Sequence, residues 1–352
     1  MSSAGKIRPG YTRSLDLKNG CVEMAHGSGG RAMAQLIDQL FLAAFDNEFL
    51  RKMNDQACFQ SFNGRMAMST DSHVVTPLFF PGGNIGSLSV HGTINDIAMS
   101  GAKPCYLAAS FILEEGFPLA DLKRIVDSMA QAAQAAQVPI VTGDTKVVEK
   151  GSGDGVFITT TGIGTVPDGI NISGENARPG DKILVSGTLG DHGIVILSLR
   201  ENLSFHTSIE SDTAALHDLV ACMIAVAPNI HVLRDPTRGG IATTLNEIAL
   251  QSSVGMMLYE NKLPIREPVS AACEFLGLDP LYIANEGKLV AICAPADAGK
   301  LLRAMQAHTL GENAALIGEV IEDTHCFVQM QTRFGGKRVI DWLSGEQLPR
   351  IC

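Results

Sequence analysis

Between residues 166 and 181 the chain reads VPDGINISGENARPGD, a run dense in Pro, Gly and Asn with no apolar period. Such a run continues neither a helix nor a strand, because its residues punctuate the backbone and supply little to bury. It therefore splits the chain into two units. A chain of 352 residues asks for the same division, since a single core seldom grows to that size. The boundaries that follow are a mobile extension over 1–20, a first domain over 21–167, a second over 168–343, and a flexible tail over 344–352.

Within the first unit the apolar residues Leu36, Ile37, Leu40, Phe41, Ala44 and Phe45 fall at helical spacing, as do Leu119, Leu122, Ile125, Val126 and Met129. Strand-like runs lie between and after them, at 65–70, 105–113, 138–142 and 156–164. The second unit opens with the strand KILVSG. Helical patterns follow near 190–200, 212–225, 239–250, 268–276 and 297–308, among the strands MMLYE, KLVAICA, ALIGEVI and CFVQM. The pattern is that of an α+β protein with two domains.

A net charge of −10 argues against binding a phosphodiester backbone, which needs a concentrated basic surface. No segment supplies the roughly 18 uncharged apolar residues of a membrane span, and the N-terminus lacks the apolar core of a leader. The expectation is a soluble, cytoplasmic protein that binds neither nucleic acid nor membrane. Its 8 cysteines are scattered without a C-x-x-C pair, so they form neither a zinc framework nor a disulfide scaffold.

HGSGGRA (26–32) contains G-x-G-x-x-A before a helix, but no clean strand enters it. A hinge is one reading. The favoured one is a mobile segment whose Gly27, Gly29 and Gly30 close over a phosphate with backbone N–H groups. No P-loop signature exists in the chain. Instead three aspartates each end an apolar run beside a hydroxyl or amide: Asp71 in STDS, Asp96 in GTINDIA and Asp144 in TGDTK. Singly each suits a turn or cap. Together they suit Mg²⁺, which takes carboxylate oxygens along with substrate phosphates. Thr70, Asn95, Thr145 and Lys146 are then the phosphate-side candidates, with Lys146 as the point charge.

Glu286, in ANEGKL, precedes a buried-looking strand where partial desolvation would raise its pKa toward a useful acid/base value. A salt bridge to Lys288 is the competing reading. For His192 a satisfied surface or capping role outweighs catalysis. Finally, the chain ends in EQLPRIC, so Cys352 carries both a thiol and the terminal carboxylate. A prenylation signal is excluded, because that needs the cysteine fourth from the end. An interchain disulfide or metal clip, or an arm that delivers a reactive sulfur, remains.

In this order, HGSGG, TDS, PLFFPGGNIG, GTINDIAMSGA, FILEEG, VTGDTKVV, SGTLGDHG, RDPTRGG, NEGKL, ALIGEV and PRIC resemble an ATP-binding superfamily. It includes aminoimidazole ribonucleotide synthetase, selenophosphate synthetase and thiamine-monophosphate kinase, and the match is closest to its hydrogenase-maturation family, the HypE carbamoyl dehydratases. The resemblance implies an N-terminal domain that dimerises through its sheet, a C-terminal α/β sandwich, and ATP with Mg²⁺ in a cleft between the two subunits of a homodimer.

It further implies that the carbamoyltransferase HypF loads a carbamoyl group onto Cys352. ATP-dependent dehydration then gives a thiocyanate, and the cyanide passes to iron on a HypC–HypD complex. In that chemistry Asp71, Asp96 and Asp144 would hold the metal, Lys146 would neutralise phosphate charge, and Glu286 would take the nitrogen proton. Two alternatives stand beside it. One is a small-molecule phosphotransferase such as a selenophosphate synthetase, for which Cys21 near the Gly-rich segment would be the reactive group. The other is a nucleotide-binding scaffold clipped through Cys352.

Overall fold

The computed structural model describes residues 14–201, 203, 209–343 and 351. The helix anticipated from Met33 forms as α1 (Arg31–Leu36), passes through a π-helical stretch, Ile37–Leu42, and ends as α2 (Ala43–Phe45). The first of the long strands is β1 (Arg65–His73), followed by a short ribbon of β2 (Phe79–Phe80) and β3 (Gly83–Asn84). Asn84 then caps α3 (Ile85–Met99): its side chain accepts from the backbone of Gly86 and Ser87, and Ser87 reaches back to the Asn84 N–H. The remaining elements of this half are β4 (Lys103–Glu114), α4 (Leu119–Ala135), β5 (Ile140–Val148) and β6 (Val156–Val166).

These strands form a four-stranded sheet in the order β1-β6-β4-β5, antiparallel except for β4 beside β5. Burial alternates residue by residue along β6, so one face is covered and the other is open. The covered face lies under α3, and a Cβ on Gly162 of β6 would collide with Ile97 and Thr93. The open face carries Met66, Met68 and Ile112 exposed.

Residues 167–181 lead into the second half, with β7 (Lys182–Val185), α5 (Asp191–Arg200), α6 (His217–Val226), β8 (Val232–Arg234), α7 (Gly240–Ser252), β9 (Gly255–Tyr259), α8 (Glu267–Leu276), β10 (Val290–Cys293), α9 (Pro295–Gln306), β11 (Ala315–Ile321), β12 (Val328–Gln331) and β13 (Lys337–Ile340). The seven strands lie in the order β13-β12-β9-β11-β7-β10-β8. Residues of α6 and α9 share one apolar core with Ile97, Ala98 and Met99 at the end of α3, so the halves are joined through that helix. Residues of α7 share a separate core with the strands. Among the described residues no helix is long and apolar enough to cross a membrane.

Two expectations change here. Asp96 does not end an apolar run; it sits inside α3, a helix that the sequence pattern did not reveal because 13 of its 15 residues are buried and no polar face sets a period. The anticipated mobile extension is docked from residue 15 onward: Leu15 and Leu17 pack against the core, and the Leu15 N–H donates to Gln39 Oε1 at 2.8 Å. Residues 344–350 and Cys352 lie outside the described residues.

Candidate active site

Asp71 projects from the covered face of β1 toward α3, because alternate residues of a strand share a face. His73, two residues on, is buried on the same face with Nε2 3.3 Å from Asp71 Oδ2. Burial holds the His73 pKa down and the ring neutral. From α3, Asp96 accepts a 2.7 Å hydrogen bond from the Ser69 hydroxyl. Desolvation raises its carboxyl, and Asp71 adds to the rise. Asp235, just past β8, shares a cleft with Asp96 and Ser69. Burial, reinforced by the charges of Asp96 and Asp71, pushes its pKa up to about 7.

Glu286 completes the group. It is buried and its Oε1 meets no partner. Desolvation first, then the charges of Asp212, Asp235, Asp71 and Asp96, lifts its pKa well above the ordinary carboxylate range. The backbone around it is pinned: its N–H donates to Asp212 Oδ1 at 3.1 Å and its carbonyl accepts from Asn95 Nδ2 at 3.2 Å. The salt bridge to Lys288 does not form. Lys288 pairs with Asp212 at 3.0 Å, and although burial opposes it, that pairing and the neighbouring donors keep Asp212 low.

Asp96, Asp235 and Glu286 are thus carboxyls whose pKa values burial and their acidic neighbours raise, the last with an orphaned oxygen, and Arg234 opposes the rise at Asp96 and Asp235 only in part. Their oxygens suit a hard divalent cation. Among the described residues no three His, Cys, Asp or Glu are gathered closely enough to hold a metal by themselves. A cation held by Asp71, Asp96 and Asp235 would therefore need water or phosphate oxygens as further ligands.

Asp144 is not part of this group. Asp71 faces Thr160 of β6, Thr160 faces Ala109 of β4, and Ala109 faces Gly143 of β5. Three strand spacings, about 14 Å, thus lie between β1 and β5. Asp144 instead pairs with Lys146 at 2.9 Å, and that bond lowers its pKa. The Gly-rich segment lies against this far edge: a Cβ on Gly27 would sit 2.8 Å from Val147 Cβ, Gly29 has φ +75°, and Gly30 precedes α1. Gly27, Gly29, Gly30, Asp144 and Lys146 form one group, and Asp71, Asp96, Asp235 and Glu286 another.

The hydroxyl and amide candidates disperse. Thr70 points to the open face, where its hydroxyl bonds the Thr160 carbonyl and Thr161 Oγ1. Thr145 is buried on the covered face and lines an apolar recess with Phe41 and Phe111. Asn95 donates to the carbonyls of Ala214 and Glu286 and accepts from the Leu216 N–H, so its amide clasps α3 to the second half rather than offering hydrogen bonds to a phosphate. Asp235 was missed, although RDPTRGG follows the apolar HVL and the same rule that found Asp71 applies to it.

His192 is fully buried, not on the surface. Ile351, the second-to-last residue, is buried beside it, and His192 Nε2 lies 2.8 Å from the Ile351 carbonyl oxygen.

Comparison with known proteins agrees with both halves. The AIR synthase related protein family matches twice, its N-terminal domain over residues 53–166 and its C-terminal domain over 178–331. The carbamoyl dehydratase HypE of Cupriavidus necator is 71% identical over 350 residues, covering 99% of this chain and 100% of that protein. Among solved structures, the hydrogenase maturation protein HypE in complex with ATP superposes with a TM-score of 0.91 at 51% identity, covering 94% of this chain and 99% of that one. HypE from a HypE–HypF complex superposes with a TM-score of 0.78 at 51% identity, over 88% and 99% of the two chains. Near-identity of length, the shared two-domain fold and this degree of sequence identity place the chain in the HypE family of carbamoyl dehydratases, within the AIR synthase related proteins.

Proposed function

We propose that the chain uses ATP to dehydrate an S-carbamoyl group on its own Cys352 to a thiocyanate, as a cytoplasmic step in hydrogenase maturation. The observation that carries this reading is Glu286, a buried carboxyl with an unpartnered oxygen amid Asp71, Asp96 and Asp235. An amide oxygen is a poor leaving group. The carbamoyl oxygen therefore attacks the γ-phosphate of ATP, forming a C–O–P linkage, releasing ADP and giving up one of the two nitrogen protons to solvent, which leaves a C=NH group. Glu286 then takes the remaining nitrogen proton, the C–N bond becomes triple, and phosphate leaves with the oxygen. A Mg²⁺ on Asp71, Asp96 and Asp235 would supply charge neutralisation for the phosphates. It would also offset the carboxylate repulsion that, after desolvation, raises the Glu286 pKa.

Lys146 and the Gly-rich segment suit the phosphates, but they stand at the opposite sheet edge from Glu286. A homodimer joined through the open face, where Met66, Met68 and Ile112 are exposed, would bring one subunit's β5 edge to the other's acid group. HypF as the carbamoyl donor fits the complex formed by a relative. Delivery of cyanide to iron on HypC–HypD completes the reading.

Intact-mass spectrometry on the carbamoylated protein tests it. ATP should cause the loss of one water from wild type and none from Cys352→Ala. Equal loss in Cys352→Ala would sink the assignment.

A further inference from the structure

We propose that His192, Ser211 and the apolar residues around α5 and α8 form a docking subsite for the chain's own penultimate residue, Ile351, which indexes the terminal cysteine to the acid group. The proposal rests on the self-dehydration reading above. Ile351 is 2% exposed and belongs to the apolar cluster of Ile194, Val269, Ala272, Ile283 and Ala284. Gly193 leaves the room: a Cβ there would collide with Ile283 and stand 3.4 Å from Ile351 Cδ1.

The polar half of the seat is equally specific. A carbonyl oxygen only accepts, so His192 Nε2 carries the hydrogen of the 2.8 Å bond to Ile351. His192 Nδ1 then accepts from the Ser211 hydroxyl at 2.7 Å, and Ser211 Oγ accepts the Thr213 N–H at 3.2 Å. Every polar atom of this chain is used in a fixed direction. Burial keeps the imidazole pKa low, which maintains the neutral tautomer that the pattern requires.

The same two segments that seat Ile351 also hold Glu286. Ser211 is followed by Asp212, which accepts the Glu286 N–H, and the Ala284 carbonyl that accepts the Gly193 N–H lies two residues before Glu286. One peptide unit, about 3.8 Å between Cα atoms, separates the seated residue from Cys352. The subsite selects an aliphatic side chain before the terminal cysteine, since a charge could not be buried there without a partner.

The test uses the full-length protein and cleavage by trypsin after Arg350 under native conditions, normalised to a free peptide of the same tail sequence. Ile351→Ala should speed release of the last two residues about tenfold, given the apolar area it removes. It should slow single-turnover dehydration of S-carbamoyl Cys352 by a similar factor, with Mg·ATP affinity in titration calorimetry unchanged. His192→Gln, which keeps an N–H near the Nε2 position, should fall between wild type and His192→Phe in both assays. Thermal melting of each variant shows whether it folds, and the Ile351→Ala comparison stands even if the His192 variants do not fold. Equal cleavage of wild type and Ile351→Ala overturns the dock, and faster cleavage with unchanged dehydration overturns its positioning role. A wild-type tail that is protected but never loses water overturns the dehydration reading, not the dock.

Discussion

Lys288 Nζ stands 3.0 Å from Asp212 Oδ2, with side chains only 12% and 5% exposed, and this pairing leaves Glu286 without a cation of its own. Glu286→Gln therefore removes a base and breaks no ion pair. The expected result is dehydration slowed by about 10²–10⁴-fold, the usual contribution of a positioned general base, with melting temperature and Mg·ATP binding retained. Single-turnover thiocyanate formation and thermal melting on one sample check it. Turnover near wild type would remove Glu286 from the mechanism.

Lys288→Met should instead act on stability. It strands the Asp212 carboxylate in the interior, a loss of about 3–5 kcal/mol where a buried pair is broken from one side. Adding Asp212→Asn should recover most of it, because the amide oxygen can still accept the Glu286 N–H. Denaturant melts of the single and double variants provide the comparison, and equal stability of all three proteins would contradict the burial of this pair.

Asp235 predicts a pH effect of definite sign. Its folded pKa, about 7, lies above the ordinary 3.8, so the folded chain keeps a proton that the unfolded chain has lost. That contribution is complete below pH 3.8 and disappears as the pH rises toward 7. Asp235→Asn cannot titrate. Its stability relative to wild type should therefore rise from pH 4 to pH 7, by at most about 1.4 kcal/mol per unit. Taking the difference between the two proteins removes the opposite effect of buried, neutral histidines such as His73 and His192. Melting both in metal-free buffer is the measurement, and a flat difference would refute the shift.

Complementation tests the separation of the two residue groups. Lys146→Ala and Asp96→Asn should each abolish dehydration alone. If an active site takes Lys146 from one subunit and Asp96 from the other, mixed dimers contain one intact site. Co-expression should then restore about a quarter of wild-type activity, since half the dimers are mixed and each has one of two sites. No recovery in dimers shown to be mixed would place both groups in one subunit's site.

What could be read from the sequence depended on whether an element has a wet side. The α4 helix presents Leu122, Ile125, Val126 and Met129 inward and charged residues outward, so its period was visible. Helix α3 is wrapped on all sides and showed none. Thr70 was separable from Asp71 on sight, because strand neighbours point to opposite faces. Asp144 was not separable, since the order β1-β6-β4-β5 is a property of pairing, not of local residue type. Asn95 was hidden for a related reason: its hydrogen-bond partners lie 119 to 191 residues away along the chain.

Helix α3 also limits how the cleft can open. Asp96 sits one residue before Ile97, Ala98 and Met99, which are embedded in the core of the second half, while Asn95 is tied to the Glu286 carbonyl and to Ala214 and Leu216 just before α6. A hinge between the halves would have to pull those side chains into water and break the amide's three bonds at once. Interdomain bending is thus a stiff coordinate in this molecule, and nucleotide exchange must proceed along a softer one that leaves α3 where it is.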